Sequence, residues 1–274
     1  MENRFYRQCG KRMLDVAASL VGLFALSPLF VVIALLVKST SAGPALYRHQ
    51  RMGRGGRSFG VLKFRTMCQD ADQIGPAITT AADSRITPLG RHLRRLKLDE
   101  LPQLWNVLIG EMSLVGPRPE APGYVQLYSP EQRQVLSVRP GITDTASIAY
   151  RREEELLGLA RDKLVQVGLV QVGLVQSDIA NADRAQGNQA QADLAEADVS
   201  LGGLDRYYRE VVLPDKLSMN LEYLDRISLS HDLSLLWRTA VAVFIPHSVT
   251  VRLPATIPTH FPAHIPTHED HSSR

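Results

Sequence analysis

Between Val16 and Val37 the chain carries no charged residue (VAASLVGLFALSPLFVVIALLV). About 20 apolar helical residues reach across a bilayer core, so this run demands either a membrane or complete burial. A helix buried at the edge of a core would keep a polar stripe, and almost none is present. Arg4, Arg7, Lys11 and Arg12 precede the run as they would in a signal peptide. The run is longer than a usual signal core, however, and ends at Lys38 rather than at a small-residue cleavage site. Ser27-Pro28 stands at its centre. Proline there removes a helical hydrogen bond and clashes with the preceding turn, and the adjacent hydroxyl can re-satisfy a freed carbonyl. Lys38, Arg48 and Arg51 follow the run, so both flanks are basic. Positive flanks stay in the cytoplasm, which predicts a helix–break–helix at Ser27-Pro28 that enters the membrane and returns.

The 274 residues, with 45% hydrophobic and 22% charged, can fill one large domain or two small ones. Net charge is only +3, yet basic residues crowd between Arg48 and Arg95. That suits an anionic partner such as phosphate or a lipid headgroup, or else forms a solvated basic face. The apolar run and the lack of interleaved aromatics argue against a nucleic-acid partner. Cys9 and Cys68 show no CxxC spacing, which excludes a disulfide framework and fits a reducing compartment.

Ala45–His49 and Ser58–Phe64 read as strands joined by the glycine-rich turn Met52-Gly-Arg-Gly-Gly-Arg57, a β-hairpin without the spacing of any nucleotide fingerprint. Pro88 to Gly110 reads as helix with a break near Leu98. Asp99-Glu100-Leu101-Pro102 looks like a helix start, where the carboxylates would complement the helix dipole. Arg85, Arg91, Arg94 and Arg95 lie close in sequence, and Arg118 stands between Pro117 and Pro119. A stiffened guanidinium beside a carboxylate pair suits phosphate chemistry.

Lys11-Arg-Met-Leu-Asp15, the Ser27-Pro28 break, Gly43-Pro44, Lys63-Phe-Arg-Thr-Met67 and Asp83-Ser-Arg-Ile-Thr87 occur in order. Leu98-Asp-Glu-Leu-Pro-Gln-Leu-Trp-Asn-Val-Leu108, Met112–Pro119 and Arg139-Pro-Gly-Ile-Thr143 follow. This ordered series resembles the bacterial sugar transferase family, the monotopic polyprenyl-phosphate phosphoglycosyl transferases, over about residues 4–155 and again near Tyr207–Thr239. The resemblance implies that Asp99 is a nucleophile attacking the β-phosphorus of a UDP-sugar, with a covalent phosphosugar and release of UMP. Polyprenyl phosphate, usually undecaprenyl phosphate, would then accept the phosphosugar, starting exopolysaccharide, capsule or O-antigen synthesis. Glu100 would assist Mg²⁺ or a proton transfer, with Asp99 and Glu100 at the metal. Arg94 and Arg118 would bind phosphate oxygens, and Lys63, Arg65 and Arg139 are further substrate contacts or headgroup ligands. Membrane lipid is an implied partner, a homodimer is left open, and the cytoplasmic face of the bacterial inner membrane is the implied location.

Two departures stand out. Asp144 takes a position where many relatives carry glycine. Asp162–Leu201 falls into five-residue units with apolar centres at Leu164, Leu169, Leu174, Ile179, Leu194 and Val199, but Arg184 and Gln189 at two others. The units resemble pentapeptide repeats, which build a square β-helix; a short stack, a helical excursion and a disordered linker all stay open. Tyr207, Tyr208 and Trp237 suit an interfacial helix or a core. In the tail, His260, His264 and His268 recur every four residues between prolines; they could catch a metal, although such tails are usually disordered.

The expected fold is mainly α with a short β-hairpin, a monotopic membrane protein with interfacial helices and a short pentapeptide β-helix as an optional insert. The expected divisions are 1–43 (re-entrant segment), 44–157 (catalytic domain), 158–203 (insert), 204–245 (closing interfacial helices) and 246–274 (tail). A catalytically idle membrane adaptor, its insert recruiting glycan-assembly partners, is the rival reading. The intact Asp99-Glu100 pair and Arg118 speak against it.

Overall fold

The computed structural model describes residues 5–71, 78–81, 83–163 and 202–244. The pentapeptide-like units beyond 163 and the histidine tail lie outside these residues. Helix α1 (Lys11–Ala25) and helix α2 (Ser27–Thr40) meet at Leu26 with a bend of 62°. Among the described residues no single helix is long and apolar enough to cross a membrane, whereas this bent pair together is, by length and composition. The sequence places proline in mid-run; the structure places Pro28 in the first turn of α2, where its missing N–H had no helical partner to lose. Ser27 Oγ donates to the Phe24 carbonyl at 2.8 Å, the back-bond expected of a hydroxyl at the break.

Both arms are fastened to the same folded body. Arg12 donates to the Val107 and Leu108 carbonyls at 2.6 and 2.8 Å, and Asp15, buried on α1, accepts the Leu114 N–H at 2.9 Å. From α2, buried Ile33 and Val37 pack with Phe64 and Leu93. The outward sides of both arms are apolar, with Val21, Phe24 and Val31 exposed.

Strands β1 (Leu46–Met52) and β2 (Ser58–Phe64) pair antiparallel from Leu46 opposite Phe64 to Met52 opposite Ser58. The first strand runs three residues past the sequence-based end at His49, because pairing continues to a tight turn in which Gly55 and Gly56 take φ of +70° and +71°. Helix α3 (Pro88–Arg95) crosses so close to the chain after β2 that a Cβ on Gly90 would lie 2.0 Å from the Thr66 carbonyl oxygen. Lys97, at φ 56°, then reverses the chain ahead of the tight turn Leu98–Glu100 and helix α4 (Gln103–Ile109).

A parallel pair that the sequence did not suggest, β3 (Ser113–Val115) with β4 (Gly141–Thr143), brings the Arg118 segment beside the Pro-Gly-Ile-Thr segment. Helix α5 (Pro122–Gln126), helix α6 (Thr145–Ala149) and a helix at 153–163 follow. Helix α8 (Leu213–Arg226) and helix α9 (Leu229–Phe244) close the body; α7 denotes the 153–163 helix. Tyr207, Tyr208 and Leu217 share one core with Val125, Tyr150 and Leu157, whereas Trp237 is 70% exposed in line with Leu229 and Leu233. The aromatic trio thus divides, two into the core and one onto the surface.

Candidate functional site

Asp99 and Glu100 sit in the tight turn ahead of α4, a turn short of the helix start at which the sequence placed them. The dipole of α4 is therefore not what they answer. Both are buried, at 5% and 8% exposure, and buried carboxylates need donors or cations. Glu100 has both. Arg118 Nη2 and Nη1 reach its two oxygens at 2.5 and 3.3 Å, and Lys63 Nζ donates at 3.0 Å. Asp99 keeps one buried oxygen, Oδ1, without a hydrogen-bond partner among the described residues.

The two carboxyls are pushed apart electrostatically. Burial raises Asp99, the Glu100 charge raises it further, and Lys63, Lys97 and Arg94 pull back less strongly. Burial opposes the Glu100 charge as well, but Arg118, Lys63 and Lys97 together outweigh it and hold that carboxyl well below its ordinary range. Lys63 is lowered by burial against the attraction of Glu100, and Arg118 is raised chiefly by Glu100. Adjacent carboxyls with divergent affinities for a proton are the pattern by which one fold assigns two chemical roles.

Several elements converge to make this arrangement. Asn106 on α4 accepts the Leu62 N–H at 2.9 Å and donates to the Gly60 carbonyl at 2.9 Å, which holds β2, and with it Lys63, over the dyad. Asp144, fully buried, accepts the Arg118 N–H at 2.9 Å and also caps α6 through the Ser147 N–H. The departure from glycine at this position is thus a carboxylate holding the Arg118 backbone. Its capping role was readable from an aspartate just before a helix; its bond to Arg118 spans 26 residues and left no local signal.

The remaining expected substrate contacts are dispersed. Arg94 donates to Thr66 Oγ1 and Glu154 Oε1, both at 2.9 Å. Arg65 is buried at the foot of α2, donating to the Ser41 carbonyl and hydroxyl, with Nε and Nη1 left unpartnered. Arg139 donates to the Gly110 carbonyl at 2.8 Å and, with Arg12, closes the carboxyl end of α4. Among the described residues only Lys63 and Arg118 donate side-chain hydrogen bonds to the dyad, and both donate to Glu100.

Comparison with known proteins fits this geometry. The model of the family described as bacterial sugar transferase matches residues 6–168. A UDP-N-acetylgalactosamine-undecaprenyl-phosphate N-acetylgalactosaminephosphotransferase of Aeromonas hydrophila is 40% identical over 145 residues, 51% of this chain and 34% of that protein. An undecaprenyl-phosphate glucose phosphotransferase of Komagataeibacter xylinus is 46% identical over 151 residues, 53% of this chain and 28% of its own length. A UDP-glucose:undecaprenyl-phosphate glucose-1-phosphate transferase of Caulobacter vibrioides is 46% identical over 162 residues, 56% of this chain and 59% of that protein. The chain spans about a third of the length of the first two. The match takes in the bent helix pair, the hairpin, the Asp99-Glu100 turn, Arg118 and Asp144, and the chain belongs to the bacterial sugar transferase family.

Proposed function

We propose that the chain transfers a sugar-1-phosphate from a UDP-sugar to polyprenyl phosphate, undecaprenyl phosphate in the names of its relatives, at the cytoplasmic face of a membrane. The observation that carries this reading is the buried dyad with one carboxylate saturated by cations and the other holding an unpartnered oxygen. An Asp99 oxygen attacks the β-phosphorus; the bond from that phosphorus to the bridging oxygen breaks, and UMP leaves with the electron pair. A polyprenyl phosphate oxygen then attacks the same phosphorus and Asp99 is released as carboxylate. Joining two anionic substrates directly is electrostatically awkward, and a covalent intermediate divides that difficulty between two steps. Desolvation, which raises the proton affinity of Asp99, also makes it the stronger nucleophile once ionised.

Arg118 and Lys63 keep Glu100 charge-balanced, so that a diphosphate can approach an acidic turn. The fork of Arg118 matches phosphate oxygens, and a bound phosphate would share it with Glu100. The unpartnered Asp99 Oδ1 is a hard oxygen donor, and Mg²⁺ is commonly held by one or two carboxylates plus substrate phosphates. Asp99 would hold it together with the donor's phosphates, since both oxygens of Glu100 are already taken by Arg118 and Lys63; when bound it screens phosphate charge and eases departure of UMP. The exposed apolar sides of α1 and α2, with Leu229, Leu233 and Trp237 of α9, form the surface we assign to the membrane. The test is UMP release across a panel of UDP-sugars with detergent-solubilised polyprenyl phosphate. Release with at least one sugar, dependent on Asp99, is expected; no release with any of them would overturn the reading.

A further inference from the structure

Lys216 lies on α8, beyond residues 6–168 that the family model matches. Its ammonium is buried, and three partners take it up: Glu120 Oε1, Glu153 Oε1 and the Tyr208 hydroxyl, each at 3.1 Å. The Tyr208 hydroxyl itself donates to Glu120 Oε1 at 2.9 Å. A lysine has three hydrogens to give, so this one has none to spare for a substrate oxygen. Burial works against its charge, but Glu120, Tyr208 and Glu153 outweigh that and hold the ammonium well above its ordinary value. It stays a cation, and what that cation grips is the segment that carries Arg118.

Glu120 follows Arg118 by two residues, with Pro119 between them fixing one backbone angle. The segment is tied at its other points as well. The Arg118 N–H is held by Asp144, and the Glu120 carbonyl accepts the Met52 N–H at the end of β1 at 2.9 Å. Removing the grip on the Glu120 side chain would leave a buried carboxylate without its main cation, two residues from the guanidinium that meets Glu100. The Arg51 charge also holds the Glu120 carboxyl down, less strongly than Lys216.

We propose that Lys216 is a positioning residue for Arg118: by gripping Glu120 it fixes the Pro117–Glu120 segment so that the guanidinium meets Glu100 and the phosphate of the donor. The kinetic side of this inference rests on the transferase reading; the structural side does not. A purely structural lysine, joining α8 to the 153–163 helix through Glu153, would lower stability without acting through Arg118.

The experiment is a double-mutant cycle on the full chain in detergent, with UMP release measured against UDP-sugar concentration for wild type, Lys216→Met, Arg118→Ala and the double variant. Lys216→Met is expected to lower kcat/KM on the order of tenfold, the scale of a displaced binding group. In the Arg118→Ala background the same change is expected to matter by less than about twofold, because residues acting as one unit are not additive. Hydrogen exchange should rise in peptides covering residues 112–121 and stay unchanged across α4. An equal loss in both backgrounds, or unchanged exchange at 112–121, overturns the proposal. If Lys216→Met does not fold, Glu120→Gln keeps the shape, removes the charge that is gripped, and carries the same expectations. A wild type that releases no UMP removes the transferase reading, and the exchange measurement then decides this proposal by itself.

Discussion

Glu100 accepts from both Nη atoms of Arg118, at 2.5 and 3.3 Å, while Asp99, next to it in the chain, leaves Oδ1 buried and unpartnered. One carboxylate is thereby fixed as an anion that aims two cations, and its neighbour is left as the group with an unused oxygen. Replacing either one should therefore have opposite effects on stability, although both replacements harm the proposed chemistry.

Asp99→Asn keeps the shape and removes the charge that attacks. Turnover is expected to fall by several orders of magnitude, as when a nucleophile is deleted elsewhere. Incubation with labelled UDP-sugar and no acceptor should label the wild type and leave the Asn variant unlabelled. Label on the variant would place the nucleophile at another residue. The variant should unfold no more easily than wild type, because a raised folded-state pKa means that burial disfavours the charged form. The sign follows from linkage: the folded protein binds the extra proton, so wild type loses stability as pH rises from the ordinary carboxylate value through the raised one. The Asn variant should gain on wild type over that window.

Glu100→Gln should behave the other way. A depressed folded-state pKa means that the ionised Glu100 stabilises the fold above the ordinary carboxylate value, and that this contribution is lost as pH falls through the depressed one. At neutral pH the variant leaves Arg118 and Lys63 facing a neutral amide, and breaking a buried pair costs about 3 kcal/mol. Thermal unfolding of Glu100→Gln at pH 7 should show the loss, and the gap to wild type should narrow in acid. A variant as stable as wild type at pH 7 would mean that the three-group cluster contributes nothing to the fold.

Arg118→Lys retains the charge and gives up the fork. The two contacts to Glu100 depend on the planar guanidinium, and a lysine presents a single ammonium. Activity is expected to drop on the order of a hundredfold, the scale seen when one pre-organised electrostatic group is lost. Rates close to wild type would reduce Arg118 to a generic positive charge.

Local rules accounted for the bent helix pair and the hairpin, because each has a nearby signal, a proline and a glycine pair, and they put the two acids one turn too far into α4. They failed where partners are distant. Asp15 meets Leu114 and Ser113, Asp232 meets Tyr6, Lys11 and Tyr223, and Lys216 meets Glu120 and Glu153. A charged residue in an ordinary helical pattern gives no sign that it will be buried against a partner so far along the chain. Arg139, which the resemblance offered as a further substrate contact, has its side chain at the end of α4, a placement with no local signal either. The parallel β3–β4 pair escaped because each strand is only three residues long, below the length at which alternation can be read.

Removal of residues 164–201 should leave UMP release largely intact. The helix at 153–163 borders that stretch on one side and helical residues 202–212, which run into α8, on the other, and the Glu153–Lys216 bridge already joins the two flanks. A short Gly/Ser connection between the flanks is expected to give a folded enzyme with nearly unchanged kcat/KM, even if association with other proteins changes. A folded but inactive deletion would show that these residues shape the site.

The last prediction concerns which side of the membrane each end of the α1–α2 pair occupies. At about 1.5 Å per residue the 15-residue and 14-residue helices are together long enough to span a bilayer even when bent by 62°. Length therefore does not decide the matter, but attachment does. Lys11 pairs with Asp232, Arg12 reaches the end of α4, and Val37 packs with Phe64, so both outer ends rest on one folded body. A body that cannot lie on both faces of a membrane at once places both ends on the same side, with Phe24 and the Leu26 bend deepest. In a Cys68-free chain, Cys9 ahead of α1 and a cysteine introduced at Ser41 after α2 should both resist an impermeant thiol reagent added to intact spheroplasts, and both should react once the membrane is opened. Replacing Ser27 and Pro28 with Ala and Leu removes the back-bond and the break, and should favour a straight span that must tear one end from the body. Reaction at one of the two sites and not the other in the parent chain, before lysis, would show that the pair crosses the membrane and would sink the re-entrant reading.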